Sequence, residues 1–174
     1  MSAATPAATR LALLATLAVT GVAIAVFVTE RSSTALAPGF AAPFLWLLSS
    51  LFLLRVLGQL LVRRRRPAWL PPTEEWNLSP YHLLLPAQIV ILAVMAWINV
   101  AFSLGHGAPV TARPRLGEGV LVFAYVYAGV MAVRYVVRMG RQPDQRWFGG
   151  AIPIVFHLVL AAYLYVFGWF HASY

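Results

Sequence analysis

Polar and apolar positions along this chain fall into long blocks instead of alternating. Residues 11–29, 40–62, 82–104, 119–139 and 148–170 are runs dominated by Leu, Val, Ala, Ile and aromatic side chains. A hydrocarbon core about 30 Å thick needs about 20 helical residues to cross it, and each run is long enough. The strands of a membrane barrel would alternate over about 10 residues, whereas these runs are apolar on every side. The pattern predicts an all-α integral membrane protein, a compact bundle of five transmembrane helices forming a single domain over residues 1–174. The first run follows Arg10 and precedes the small-x-small triplet Ala35-Leu36-Ala37, as a secretory leader would. We read it as a retained spanning helix.

Composition strengthens the membrane reading. Hydrophobic residues make up 61% of the chain and charged residues 10%, with a mean hydropathy of +0.77; soluble domains are roughly 45–50% apolar. The absence of cysteine excludes thiol chemistry and thiolate-bound metal or iron–sulfur centres. Thirteen basic residues, all arginine, face five acidic ones, for a net charge of +8. They flank apolar runs, where membrane topology and anionic headgroups explain them, so nucleic acid is not an expected partner.

Arg10, Arg63 to Arg66, Arg138, Arg141 and Arg146 fall on one side of the bundle, against Arg31, Arg113 and Arg115 on the other. The positive-inside rule then predicts the amino terminus inside and the carboxyl terminus outside. Arginine in place of lysine, with abundant Ala, Leu and Val, fits a GC-rich bacterial genome and hence the bacterial cytoplasmic (inner) membrane. Residues 66–81 carry four prolines with Trp69, Trp76 and Tyr81, so a regular helix is excluded there. The rings suit headgroup depth, and the segment is expected to lie along the inner surface, with Trp69 and Trp76 touching lipid or a partner.

Ionisable groups inside the spans are the default functional candidates, because a buried charge in lipid costs at least about 2.5 kcal/mol. Arg55 lies about 12 Å deeper than Arg63, and Arg134 one turn inside Arg138. No acidic residue lies at matching depth unless Glu74 or Glu75 folds back. Arg55, Arg134 and Arg138 are therefore expected to meet lipid phosphates, carbonyls or another subunit. The lack of a carboxylate within the spans argues against a proton pump or cation-coupled transporter.

The third run carries Gln88, Leu92, Met95, Asn99, Phe102 and His106 on one face, a polar stripe suited to bonding across helices. In the fourth run Ala124, Ala128 and Ala132, with Gly129 alongside, predict a close-packing face.

Four histidines bear on cofactor chemistry. His157 and His171 lie about 40° apart in azimuth and about 21 Å apart in height on one helix, with Ala161 and Gly168 between them. That spacing resembles the ligand helix of di-haem membrane cytochromes of the b type. The second helix such a cytochrome needs is missing, since His82 and His106 are 24 residues apart. One b-type haem is the limit within a single chain, on His106 with His171 or on His82 with His157; a dimer would pair His157 with its copy. Glu74, Glu75 and His82 are the only cluster resembling a hydrolytic metal site, and they fall short of the ligands a metal needs. No nucleophile triad or phosphate loop is present.

The expected function is a non-catalytic accessory subunit or assembly and stabilising factor of a larger membrane complex. Two alternatives stand beside it. One is a small electron carrier holding haem b on His157 or His171; the other is an enzyme or transporter acting on lipid or quinone, with Arg55, Gln88 and Arg134 facing an anion.

Overall fold

A computed structural model describes residues 7–30, 37–65, 81–141 and 151–173, with side chains in the third helix described from Leu84 onward. It contains five long helices: α1 (Ala7–Glu30), α2 (Pro38–Arg65), α3 (Tyr81–Leu104), α4 (Pro114–Arg141) and α5 (Ile152–Ala172). One 3-10 turn, Ala108–Val110, links α3 to α4, and no strand occurs among the described residues. All five helices are long and apolar enough to cross a membrane. They begin and end within a few residues of the apolar runs, the largest extension being at the start of α4. Most of the 66–81 segment, including Trp69, Glu74, Glu75 and Trp76, lies outside the described residues, as do Arg31, Arg66 and Arg146.

The last helix is the centre of the bundle. α5 packs along α4, against α2 and, over a shorter stretch, against α1; α2 in turn carries α3. Accordingly α5 is the most buried span and α4 the least. The arginines Arg63, Arg64, Arg65, Arg138 and Arg141 end α2 and α4. Both helix ends lie at one end of the bundle, called the arginine-rich end below.

Aromatic rings hold the opposite end. Phe27 of α1 is fully buried and meets Phe40 and Phe44 of α2 at centroid distances of 5.6 and 5.3 Å and Tyr165 of α5 at 6.2 Å. Phe102 of α3 meets Phe170 at 4.6 Å edge-on and Phe167 at 6.0 Å. Such offset and edge contacts favour the ring quadrupoles and add to the packing of large apolar surfaces.

At mid-span Asn99, one member of the polar stripe of α3, bonds across helices. Asn99 is fully buried; its Nδ2 donates to Ser49 Oγ at 2.7 Å and reaches the Leu45 carbonyl at 3.5 Å. Its Oδ1 accepts from the Tyr163 hydroxyl at 2.9 Å. One amide thus ties α3 to α2 and α5. Beside it Ser103 Oγ accepts from Trp46 Nε1 and donates to the Asn99 carbonyl, both at 2.9 Å. Replacing Asn99 with leucine severs both interhelical links and leaves the Tyr163 hydroxyl only the longer bond to the Met95 carbonyl, 3.3 Å. We expect Asn99→Leu to lower stability in detergent by about 1–2 kcal/mol; an unchanged melting temperature would show that the network does not hold the helices.

The α4–α5 seam is closer than its side chains alone would allow. Gly117 of α4 lies against the backbone of His171 and Ala172, and Gly168 of α5 against Leu121, Val120 and the Gly117 carbonyl. The buried positions of α4 are Gly117, Ala124 and Met131. Ala132 and Gly129 are exposed, so the expected Ala124–Ala128–Ala132 face is corrected to a heptad-spaced one. The physical reason is the closest approach at Gly117, which sets the rotation of α4 about its own axis.

Candidate functional site

The buried polar groups divide into two sets with different fates. The Ser49–Asn99–Tyr163 network is satisfied. Toward the arginine-rich end, Arg55 is 5% exposed, Gln59 1% and Gln88 4%, and among the described residues Arg55 Nε, Gln59 Nε2 and Gln88 Oε1 make no hydrogen bond. Sealed polar atoms of this kind are rare, because each forfeits its bonds to water. Arg55 keeps one favourable contact, its Cζ standing 5.9 Å from the centroid of the Phe156 ring on α5, within cation–π range.

Next to Phe156, His157 points toward α4. Its Nδ1 shares a hydrogen bond with the Tyr127 hydroxyl, and the two rings meet edge-on at 5.7 Å. The Tyr127 ring is itself stacked on Phe123 at 5.6 Å. Arg55 stands over the Phe156 ring beside His157, and Arg134 lies two turns beyond Tyr127 on the same face of α4. Four helical positions from α2, α4 and α5 thus converge: Arg55, Tyr127, Arg134 and His157. Arg55 is buried, Tyr127 and His157 are half-buried and Arg134 is exposed, so the cluster opens sideways out of the bundle.

Every charge in this cluster is positive. The arrangement suits an acceptor-rich anion, since guanidinium offers donors only. Arg138, one turn further along α4, is half-buried and engaged in an interaction of its own.

The remaining histidines are dispersed. His171 is 1% exposed and ringed by Phe167, Phe170 and Phe102 at centroid distances of 4.5, 5.2 and 6.5 Å. Neither of its ring nitrogens makes a hydrogen bond, although the Pro109 carbonyl lies beside the ring. His106 is exposed beyond the end of α3, and the His82 side chain is outside the described residues. The stretch of α5 between His157 and His171 has α4 laid along it at Gly168. At Gly168 the small residue admits the backbone of α4, whereas Ala161 lines an open concavity. No group of three or more metal-binding side chains occurs among the described residues.

A second concavity of about 350 Å³ opens between α1, α4 and α5. Its lining is Ile24, Ala124, Tyr125, Ala128, Leu158, Ala161, Ala162 and Tyr165. On α5 it is turned about 100° from His157, and its lining offers only two phenols for polar contact.

Sequence reasoning set Arg55, Gln88 and Arg134 together as groups facing an anion but left His157 apart from them, as a haem candidate. It missed Tyr127 as the histidine's partner, Gln59 as a sealed donor and Gly117 as the closest helix contact. An amide in the last third of an apolar run was a readable signal for Gln59. The Tyr127–His157 pair had none, because it depends on the antiparallel register of α4 against α5. A comparison with known protein families, with curated proteins and with solved structures finds no match to this chain.

Proposed function

We propose that this chain is a non-catalytic accessory or stabilising subunit of a larger membrane assembly. In this reading it sits in the bacterial cytoplasmic membrane with its amino terminus inside and its carboxyl terminus outside. The observation that carries the reading is the outer face of α4. Among the described residues this helix packs extensively on α5 alone, and Val122, Val133 and Val136 stand 62–64% exposed. Between and beyond them Gly129 and Gly140 have nothing within 4 Å of where a side chain would begin. These five positions form one stripe along the helix.

Glycine in a membrane helix weakens nothing when another backbone approaches it, and such small-residue stripes are the preferred contact surfaces between helices in lipid. Glycine facing lipid has no comparable benefit. Valine beside glycine adds a stiff, flat flank with little rotamer freedom to lose on contact. The proposed partner is therefore a transmembrane helix of another subunit.

The test is Gly129→Leu in the natively expressed, tagged protein. It should extract and melt like the wild type while the co-purifying subunits fall at least several-fold. Wild-type protein that migrates as a bare monomer after mild extraction, or a variant that retains every companion, would sink the proposal.

A further inference from the structure

A second, independent property resides on another face of α4, about 140° round the helix from Gly129 to Arg134. The Arg55–Tyr127–Arg134–His157 cluster lies within the membrane span. Arg134 is about 10 Å from the Arg141 end of α4, Arg55 about 15 Å from the Arg65 end of α2, and His157 about 7.5 Å from the start of α5. Arg55 Nε and Gln59 Nε2 are sealed donors without hydrogen bonds among the described residues, which is itself a pointer to a missing acceptor.

The Tyr127–His157 hydrogen bond gives the site a direction. The Tyr127 oxygen sits in the field of Arg55. A phenol is the natural donor to a neutral imidazole nitrogen, which assigns the hydroxyl hydrogen to the bond with His157 Nδ1. An imidazole accepting at Nδ1 carries its own hydrogen on Nε2. The side chains then offer two guanidiniums and an imidazole N–H, all donors. A tetrahedral oxyanion with several acceptor oxygens matches that set better than a neutral amide or carbonyl.

We propose that Arg55, Arg134 and the Nε2–H of His157, oriented by Tyr127, bind the phosphate group of an anionic amphiphile that enters sideways from the leaflet at the arginine-rich end. Arg134 makes the first, exposed contact. Arg55 acts from the buried side, and Tyr127 is a positioning residue that holds the imidazole tautomer. The exposed ring of Phe123, stacked on Tyr127, flanks the glycerol and upper acyl region. The same phosphate chemistry belongs to a free phosphate ion, and the experiment separates the two sources.

The full chain is reconstituted in phosphatidylcholine bilayers containing phosphatidylglycerol, extracted gently, and its retained lipid counted by native mass spectrometry. In parallel, its melting temperature is followed with inorganic phosphate alone. Wild-type protein should retain phosphatidylglycerol in preference to phosphatidylcholine, and Arg134→Gln should reduce that retention roughly tenfold or more, the loss of one charge-assisted hydrogen bond. Arg134→Lys should recover part of it, and Arg10→Gln, at the same end of the bundle on α1, should change nothing. Tyr127→Phe should weaken retention and shift the His157 nitrogen resonances away from the Nε2–H tautomer, a change that loss of packing alone would not produce. Protection by inorganic phosphate with no preference among lipids would assign the anion to a soluble ion. Equal retention by wild type and Arg134→Gln, with no effect of phosphate, would overturn the site.

Discussion

Adding a single methyl group at Gly117 is expected to force α4 away from the end of α5. A Cβ built there falls 2.6 Å from the His171 carbonyl carbon and 2.8 Å from Ala172 Cα. These are backbone atoms of a helix, and no rotamer change can move them aside. The two helices must separate or rotate, and the contact at Gly168, where a Cβ would stand 3.1 Å from the Leu121 nitrogen, is lost with them. Overpacking in a close-packed core typically destabilises by 1–3 kcal/mol. We expect about 3 kcal/mol for Gly117→Ala, because among the described residues α4 has no other extensive neighbour over which to spread the strain. Thermal unfolding in detergent measures it, with Gly129→Ala as the control, since nothing lies within 4 Å of that position. Equal melting temperatures for the two variants would mean that the seam is looser than described.

The second large effect has the opposite sign. Arg55→Leu should stabilise the isolated protein by about 2 kcal/mol. A cation at the middle of a membrane helix is disfavoured by about 2.5–3.5 kcal/mol, whereas leucine is favoured by a few tenths. Part of that difference is already offset by the Phe156 ring face beneath the guanidinium. Replacing a buried charge that has no ion-pair partner among the described residues with an apolar side chain of similar length commonly raises stability. The same variant should lose the anion retention that Arg134→Gln loses. A stabilised protein with impaired binding is the signature of a residue kept for function at the expense of the fold. If Arg55→Leu instead unfolds the chain, the arginine is a structural element and its partner lies in another part of the molecule.

The existence and number of helices long and apolar enough to cross a membrane were legible because length and apolarity are both visible in one dimension. Which face of each span meets a neighbour was legible only where polarity broke the pattern. On α3 the amides Gln88 and Asn99 marked the inward side, and both are buried. On α4 the apolar residues on all sides gave no such contrast. The alanines at successive fours drew attention to one side, yet the rotation is set by Gly117, whose heptad partners Ala124 and Met131 do not stand out where every side is apolar. The candidate site was half legible for the same reason. Arg55 and Arg134 stand out in any apolar run, but their convergence on His157 through Tyr127 requires the relative heights of three helices. Those heights follow from side-chain interlocking across the seams, and no local spacing encodes them.

The position of α5 at the centre of the bundle has a consequence for biogenesis. Chains are made from the amino terminus at roughly 5–20 residues per second, so the roughly thirty residues between the ends of α4 and α5 take on the order of 2–6 s to emerge. During that interval α2 and α3 can already pair through Ser49 and Asn99, while α4 drifts in the bilayer with its glycine faces unmatched on both sides. Completion of the bundle therefore waits on its final helix, because until α5 emerges α4 lacks the element it packs on.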